Sequence, residues 1–409
     1  MSERERNVGS DTVGSSDVGL GTVCLDKVRL GVIGLGNIAQ QHIENIRSGQ
    51  VERCELSAIC SRQSSQVAAE LVADSGCEHF SDFKALIDSG RVDAVLIATP
   101  TFSHVEIAHY ALSKNIHVML EKPIALSSCE GEALVNAASK NTKFALMLNQ
   151  RADPTYRKMK EIVDSGVLGK IQRTQWTMTN WFRPEIYFQV SDWRATFKGE
   201  GGGLLVNQCI HNLDVFQWIC GMPSSLQAFC EFGKYHEIEV EDEATAFLRY
   251  PNQATGVFIA STGEAPGVNR FDIIGDKGSL HFDKGQLLQS INQQGTAEYS
   301  RSTDNMFGMP ESVRQEIVIT EQVNQHAVIM NDFVSAILED TPLMVNAEMG
   351  LASLDIANAM LMSTWQHAAI SFPLDRQAYQ RLLDQKVAKS ALRKKTTRTA
   401  KIDMKQSYR

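Results

Sequence analysis

The chain of 409 residues lacks the sequence features of several large protein classes. It has no apolar run near the ~20 residues that span a bilayer, so we expect no membrane segment. Its eight cysteines include no C-x-x-C pair and no metal-ligand spacing, which indicates reduced thiols, no metal site and a cytoplasmic location. Gly-x-Ser-x-Gly and H-E-x-x-H are both absent, which argues against serine hydrolases and zinc peptidases.

Charge is distributed unevenly along the chain. The net charge of −8 argues against a nucleic-acid partner. Residues 386–409 nevertheless carry nine Lys and Arg against a single Asp403, and we interpret them as a solvated, poorly ordered tail rather than a nucleic-acid or membrane arm. Residues 1–26 are rich in Ser, Gly, Asp and Val and lack the basic start and apolar block of a signal peptide, so they predict a disordered leader.

A strand, a glycine turn and a helix open the structured part of the chain. Val28–Ile33 is a short apolar run of strand character, and a Gly-x-Gly-x-x-Ala motif follows it at once. Gly34 permits a tight turn, Gly36 lets a pyrophosphate approach bare backbone, and the helix opening at Asn37-Ile38 supplies free N–H groups. The motif stands at the first strand of an alternating series, so it predicts dinucleotide binding by these four residues.

The pattern of strands and helices predicts two domains. Strands and helices alternate through residues 27–149, which predicts an α/β Rossmann domain with a doubly wound parallel sheet. In residues 150–375 alternating segments dominate and Gly275–Gly278 reads as a hairpin turn, which predicts an α+β domain with a large, mostly antiparallel sheet. Helices near Val323–Leu338 and Glu348–His367 should cover that sheet or return to the first domain. Because such sheets often pair with a twin, we expect a homodimer or homotetramer.

The end of the second predicted strand bears on cofactor choice. Enzymes that use NAD usually place Asp or Glu there, to accept the ribose hydroxyls. This chain has Ser61 followed by Arg62, and a hydroxyl beside a guanidinium can bind a 2′-phosphate. The pair favours NADP over NAD. If Ser61-Arg62 is only a surface loop, NAD stays possible.

Lys122 is the first candidate for a catalytic group. Glu121-Lys122-Pro123 directly follows the strand His117–Leu120, and ligands bind beyond the carboxyl ends of such strands. Cationic oxidised nicotinamide and partial burial would lower the pKa of this lysine toward a useful acid/base value. The alternative is a surface loop with an unrelated Lys-Pro.

His211 is the second candidate. Gly201–Gly203 precede a predicted helix over residues 204–218, on which Asn207 and His211 are four apart and share a face. Asp214 lies one turn further and could orient the imidazole, or lie to the side of the helix. A neutral imidazole can accept the proton released as a hydroxyl becomes a carbonyl. Alternatively, His211 is a structural residue of an amphipathic helix.

Taken together and in order, several segments resemble the Gfo/Idh/MocA family of NAD(P)-dependent oxidoreductases over about residues 27–375. The matching segments are Gly31–Ala39, Ala98–His104, His117–Pro123, Asn149–Arg151, Trp193-Arg194 and Gly201–His211. The resemblance implies hydride transfer between nicotinamide and a secondary alcohol or carbonyl of a sugar, glycoside or cyclitol. By that analogy Lys122 anchors the reacting hydroxyl and His211 is the acid/base.

The resemblance also implies the remainder of the site. It assigns cofactor contacts to Thr99, Pro100, Thr101, His104, Glu121, Lys122, Asn149, Trp193 and Arg194, and substrate contacts to Lys122, Arg151, Asn207 and His211. Many inositol-dehydrogenase-like members carry Asp where this chain has Asn207, which shifts acid/base work to His211 and Lys122 and favours the branch acting on glycosides or sugar nucleotides. The alternatives are a reductase of a non-sugar carbonyl or dihydrodiol, and a non-catalytic NAD(P)-sensing regulator.

Overall fold

The first domain is a parallel sheet covered by helices. A computed structural model describes residues 26–62 and 66–392 of the chain. Six parallel strands stand in the order β3-β2-β1-β4-β5-β6. They are β1 (Val28–Ile33), β2 (Cys54–Cys60), β3 (Glu78–Phe80), β4 (Ala94–Ile97), β5 (His117–Leu120) and β6 (Phe144–Leu146). The intervening helices are α1 (Asn37–Arg47), α2 (Gln66–Ser75), α3 (Phe83–Asp88), α4 (His104–Ser113) and α5 (Ser128–Ala137). The predicted doubly wound α/β domain is confirmed.

Backbone hydrogen bonds bring three strand ends together at one edge of this sheet. The Gly34 N–H donates to the Cys60 carbonyl at 2.9 Å, which ties the glycine turn to the end of β2. The Ala98 N–H donates to the Ile33 carbonyl at 2.9 Å and joins the end of β4 to the end of β1. Every residue of β4 is buried, because helices cover both faces of the sheet. The loops after β1, β2 and β4 therefore surround one crevice, where ligands bind in folds of this kind.

The second domain is built on nine strands in the order β14-β13-β12-β11-β7-β10-β9-β8-β15. They are β7 (Ile171–Met178), β8 (Ser225–Phe232), β9 (Glu241–Arg249), β10 (Thr255–Ser261), β11 (Asn269–Gly275), β12 (Gly278–Asp283), β13 (Gln286–Asn292), β14 (Ser312–Ile317) and β15 (Ile370–Ser371). Neighbouring strands are antiparallel except β7 and β10. The hairpin predicted at Gly275–Gly278 joins β11 to β12. The mostly antiparallel sheet is confirmed.

Eight helices complete the second half of the described chain. They are α6 (Pro154–Asp164), α7 (Glu185–Gln189), α8 (Phe197–Glu200), α9 (Ile210–Cys220), α10 (Thr296–Ser302), α11 (Gln325–Glu339), α12 (Met349–Gln366) and α13 (Arg376–Lys389). Of the two predicted late helices, α11 returns to α1, β1 and β5, and α12 packs against β8 and α9. Within residues 26–62 and 66–392, no helix is long and apolar enough to cross a membrane.

The end of the chain departs from the expectation of a tail that begins at residue 386. Lys386–Lys389 form the last turn of α13 instead, a helix that packs against α8, α5 and α12. The buried Tyr379 and Leu383 anchor it, which is why the helix continues past the expected end of the second domain at residue 375. The predicted leader (1–26) lies outside the described residues except for Asp26, and so does the tail beyond residue 392.

An aromatic cluster fixes α9 against the nine-stranded sheet. Trp176 of β7 is fully buried and stacks on Phe271 of β11, with ring centroids 4.4 Å apart. Phe258 of β10 and Phe216 of α9 complete the cluster, and Phe216 lies 5.6 Å from Phe271 by ring centroids. Buried aromatic pairs of this kind stabilise a core beyond the area that they bury. The cluster therefore sets the position of α9, which carries His211 in its first turn.

Replacing the central ring of this cluster should destabilise the whole domain. We expect Trp176→Ala to lower the free energy of unfolding by about 3–5 kcal/mol, because it leaves a large cavity and removes the stacking partner of Phe271. Denaturant unfolding followed by circular dichroism measures this. Phe102→Ala is the control: its side chain is 45% exposed, and we expect a change below about 1 kcal/mol. Equal losses from the two variants would contradict this account of the core.

Candidate active site

The glycine turn leaves the start of α1 open. Gly34 has φ +93°, and a Cβ there would lie 2.6 Å from the Ala98 carbonyl oxygen, so only glycine fits. Gly36 is the N-cap of α1 and offers no side-chain cap, and a Cβ on it would meet nothing within 4 Å. The first N–H groups of α1, from Asn37 and Ile38, therefore face open space. This cradle fits the pyrophosphate of a dinucleotide.

The two residues predicted to determine the preference between NADP and NAD follow directly after β2. Ser61 Oγ lies 2.9 Å from His79 Nε2, and the Ser61 N–H donates to the Phe80 carbonyl at 3.1 Å. Arg62 is exposed. Both stand immediately after Cys60, whose carbonyl accepts the hydrogen bond from the glycine turn. The pair thus lies beside the dinucleotide cradle, and its preference for NADP stays a prediction.

The loop after β4 is braced by a buried histidine. Thr99 and Pro100 are partly exposed at the end of β4, whereas Thr101 is buried. His104 is also buried, and its two ring nitrogens lie 2.9 Å from the Thr99 carbonyl and 2.8 Å from the Pro123 carbonyl. Both nitrogens are therefore engaged by protein. His104 therefore connects the loops after β4 and β5, and its contact with the cofactor stays a prediction.

The side chain of Glu121 is likewise engaged by another protein side chain. Its Oε1 lies 2.7 Å from His42 Nε2 of α1, and both side chains are buried. Burial opposes ionisation, but the hydrogen bond and charge of His42 outweigh it and lower the pKa of Glu121 to about 2. His326 of α11 approaches from the other side, with ring centroids 5.3 Å from His42. Glu121 therefore ties β5 to α1 beneath the cleft.

No sequence pattern distinguishes His42 and His326, the two histidines near Glu121. His42 is one of several polar residues in α1, and His326 lies on a helix far along the chain. Burial lowers the pKa of His326 to about 4, and the nearby His42 contributes in the same direction. Within the described residues, no three His, Cys, Asp or Glu side chains are arranged to hold a metal ion.

Lys122 reaches across from the first domain to the second. Its Nζ donates to the Asn207 carbonyl at 2.9 Å. Burial lowers the pKa of Lys122 below its usual value, and the positive charges of Arg194 and Arg183 lower it further against the opposing effect of Glu121. A lysine in this setting exchanges a proton more readily than one in water.

His211 stands in the first turn of α9 with one nitrogen unused. Its buried Nδ1 has no hydrogen-bond partner among the residues that the structure describes. Burial holds the pKa of His211 well below its usual value, and the nearby charge of Lys122 adds to the effect. The imidazole is therefore neutral at pH 7 and can accept a proton. Lys122 and His211 are far apart in sequence, but they lie close enough in this site for the charge of one to affect the other.

The helix expected over residues 204–218 begins later than predicted. Residues 204–209 form turns and α9 starts at Ile210, so Asn207 and His211 do not share a helical face. The side chain of Asn207 points instead to Glu200, with Nδ2 2.5 Å from Oε1. Asn207 therefore offers its backbone carbonyl to Lys122, while its amide is held by a carboxylate.

Glu200 is the group that sequence reasoning missed. It is 5% exposed, and besides Asn207 it accepts a hydrogen bond from the Ala195 N–H at 2.5 Å, with Arg194 4.0 Å away. Burial raises the pKa of Glu200, although Arg194 and the hydrogen bonds oppose the rise. Its position directly before three glycines was the available clue, since such a segment permits close packing around a carboxylate.

The glycine segment is held between the two domains. Gly201 has φ +76°, and a Cβ there would lie 2.5 Å from the Leu126 carbonyl oxygen of the first domain. On the other side, the N–H groups of Gly203 and Leu205 each donate at 2.9 Å to the carboxylate of Glu241 in β9. Burial raises the pKa of Glu241 to about 7, although those N–H groups oppose the rise. At Gly201 and Gly203 the neighbouring backbone leaves room for nothing larger than glycine.

Arg194, which is stacked between two aromatic rings, lies beside Glu200. The Arg194 guanidinium carbon lies 4.7 Å from the Trp193 ring centroid and 4.6 Å from that of Tyr187, and Nη1 donates to the Tyr187 hydroxyl at 2.7 Å. Such stacking holds a guanidinium in one place.

Asn149 has one engaged and one unpaired amide atom. Its Nδ2 donates to Gln325 Oε1 at 2.8 Å, and its buried Oδ1 has no partner among the described residues.

Arg151 is engaged by Asp214. Its Nε and Nη2 donate to the two carboxylate oxygens at 2.7 and 2.6 Å, and both side chains are buried. The expectation that Asp214 could orient His211 is therefore wrong, because this carboxylate is taken by the guanidinium. The same pairing makes Arg151 a link between the 3-10 turn Asn149–Ala152 and α9, and the substrate contact that the resemblance implies stays a prediction.

Comparisons with known proteins agree with this architecture. Residues 28–149 match the model described as an oxidoreductase family with an NAD-binding Rossmann fold, and residues 156–281 match the GFO/IDH/MocA C-terminal domain. Similar proteins include myo-inositol 2-dehydrogenase of Thermotoga maritima, 28% identical over 61% of this chain and 73% of that protein. Levoglucosan dehydrogenase of Pseudarthrobacter phenanthrenivorans is 27% identical over 53% of this chain and 62% of that protein. The WlbA dehydrogenase of Bordetella pertussis, solved with NADH and UDP-GlcNAcA, has the same fold, with a TM-score of 0.71. It is 24% identical, and the match covers 85% of this chain and 100% of that one.

The buried pair of Arg151 and Asp214 can be tested by removing one or both partners. Arg151→Met should lower the free energy of unfolding by about 3–5 kcal/mol, because it leaves the buried Asp214 carboxylate without its charged partner and with only the Gln217 amide as a side-chain donor. The double variant Arg151→Met/Asp214→Leu should recover most of that loss in denaturant unfolding. A variant Arg151→Met that keeps its stability but raises the KM for substrate would contradict this and support a substrate contact.

Proposed function

The chain belongs to the GFO/IDH/MocA oxidoreductases, whose first domain is an NAD-binding Rossmann fold, and on that basis we propose that it transfers hydride between a nicotinamide cofactor and a secondary alcohol or carbonyl of a sugar, glycoside or cyclitol. The observation that carries the proposal is the meeting of Lys122 with the Asn207–His211 segment beyond the end of β5. The named activities of the myo-inositol and levoglucosan dehydrogenases support this substrate class.

Lys122 and His211 divide the proton chemistry between them. When bound, the nicotinamide ring supplies the carbon that accepts or donates hydride. The Lys122 ammonium is placed to donate a hydrogen bond to the substrate hydroxyl oxygen and to stabilise negative charge as it develops there. The neutral imidazole of His211 can take the hydroxyl proton and return it when a carbonyl is reduced.

NADP is the cofactor form that we propose. The adenosine end of the dinucleotide should reach the residues after β2, where Arg62 is exposed and no carboxylate follows Cys60 directly. A guanidinium can form charge-assisted hydrogen bonds with a 2′-phosphate. Family membership by itself indicates NAD binding, so this preference depends on Arg62.

The proposal extends to assembly and location. The outward face of the nine-stranded sheet carries apolar side chains such as Phe229, which is 65% exposed, and supports a homodimer or homotetramer. The seven cysteines of the described residues are all unpaired, which supports a reducing, cytoplasmic environment.

Reduction of NADP⁺ and NAD⁺ by a panel of sugars, glycosides, cyclitols and dihydrodiols tests the proposal directly. Turnover with one polyol class and none with dihydrodiols is the expected result. Cofactor binding without turnover of any substrate would instead favour a regulator.

Lys122→Ala should separate catalysis from cofactor binding. We expect kcat to fall by about 10²–10³, the usual cost of removing a hydrogen-bond donor that stabilises developing negative charge, with little change in the dissociation constant of NADPH measured by fluorescence titration. Lys84→Ala serves as the control, since that side chain is 50% exposed on the same domain. A parallel loss of NADPH binding and kcat would show that Lys122 holds the cofactor or the fold instead.

Arg62→Ala should change the cofactor preference. Loss of a charge-assisted contact with the 2′-phosphate should weaken NADPH binding by about tenfold or more and leave NADH binding nearly unchanged. Arg91→Ala is the matched control, because Arg91 is exposed on the same domain and pairs with Glu78. An unchanged ratio of the two affinities would remove the phosphate role of Arg62.

A further inference from the structure

The end of the second sheet carries an unusual amount of exposed apolar surface. Met306, Phe307 and Met309 are 87%, 89% and 78% exposed, and Val313 and Val318 just after them are 62% and 73% exposed. These residues lie in one short stretch that leads into and out of β14. Isolated exposed apolar side chains are ordinary, but five within 13 consecutive residues mark a surface that another protein covers.

β14 itself runs beyond the helical cover of its sheet. It pairs with β13 on one side and stands at the edge of the strand order, so among the described residues no strand pairs with its other side. Val313 lies opposite Ile291, and Ile317 lies opposite Leu287, which is only 1% exposed. Val313 therefore belongs to the core-facing side of the sheet, although no helix of the described chain buries it.

The sequence of β14 is complementary to itself in one register. A two-fold axis perpendicular to the sheet keeps each side chain on its own face, so a symmetric antiparallel pair must be centred on a residue. Centring on Arg314 sets two guanidinium groups opposite each other, and centring on Glu316 sets two carboxylates opposite each other. Centring on Gln315 instead places Arg314 opposite the partner's Glu316 and Val313 opposite the partner's Ile317. Opposite charges and apolar pairs across strands are the favourable combinations.

We propose that β14 pairs with β14 of a second copy of this chain, antiparallel and centred on Gln315, to join two nine-stranded sheets into one continuous sheet. The pairing satisfies the open N–H and C=O groups of both edges. It also sets the segment before one strand, which contains Met306–Met309, beside the segment after its twin. This contact is separate from the outward face of the sheet and does not depend on the proposed chemistry.

Cysteine capture tests the register in the full-length chain. With copper–phenanthroline as added oxidant, Gln315→Cys should form a disulfide-linked dimer on a non-reducing gel, since the two copies of this residue face each other. Val318→Cys is the matched control: it is equally accessible, but in this register its two copies stand about 20 Å apart along the strands and should not cross-link. Wild-type protein, with its native cysteines, sets the background.

Charge reversal tests the same register without cross-linking. Arg314→Glu and Glu316→Arg each set like charges opposite each other, and each should weaken self-association by about tenfold in sedimentation equilibrium. The double variant Arg314→Glu/Glu316→Arg restores opposite charges and should recover association. All of these side chains are exposed and lie outside the catalytic site, so hydride transfer provides a separate check of folding.

Two results would overturn the proposal. One is equal cross-linking, or none, from Gln315→Cys and Val318→Cys. The other is a double charge variant that associates no better than the single ones.

Discussion

The close packing of Gly201–Gly203 between the two domains is the constraint on which the site depends. One side of the segment meets the Leu126 carbonyl and the other is held by the Glu241 carboxylate. A side chain at Gly201 or Gly203 would push the domains apart or displace the turn that follows. Because that turn ends at Ile210, the segment sets both the start of α9 and the carbonyl of Asn207.

The same packing explains why so many ionisable groups here depart from their ordinary behaviour. Glu200 is buried here and Lys122 and His211 are half-buried, and burial is the largest influence on the pKa of each. The lysine and the histidine are driven toward their neutral forms, and the carboxyl group is driven in the same direction. Displaced pKa values of this kind cluster at functional sites, which supports this position as the active site.

Sequence reasoning was strongest where a residue type is needed for the backbone itself. Gly34 and Gly36 were located from spacing alone, and the alternation of strands and helices predicted both sheets. Sequence reasoning was weaker where the partner of a side chain lies in a distant segment of the chain. Asp214 could not be assigned to Arg151 from spacing, since a helix periodicity shows only neighbours on the same helix. Glu200, His42 and His326 were missed because burial and tertiary contact, rather than any local pattern, make them part of the site.

The contact of Glu200 with Asn207 couples the charges of two positions. The Asn207 amide donates to the Glu200 carboxylate at 2.5 Å. A single change from asparagine to aspartate would set two buried carboxylates against each other, and one of them would have to hold a proton. The charge that position 207 can carry is thus set by the residue at position 200. The two positions act as one unit, and the effect of a substitution at either depends on the residue at the other.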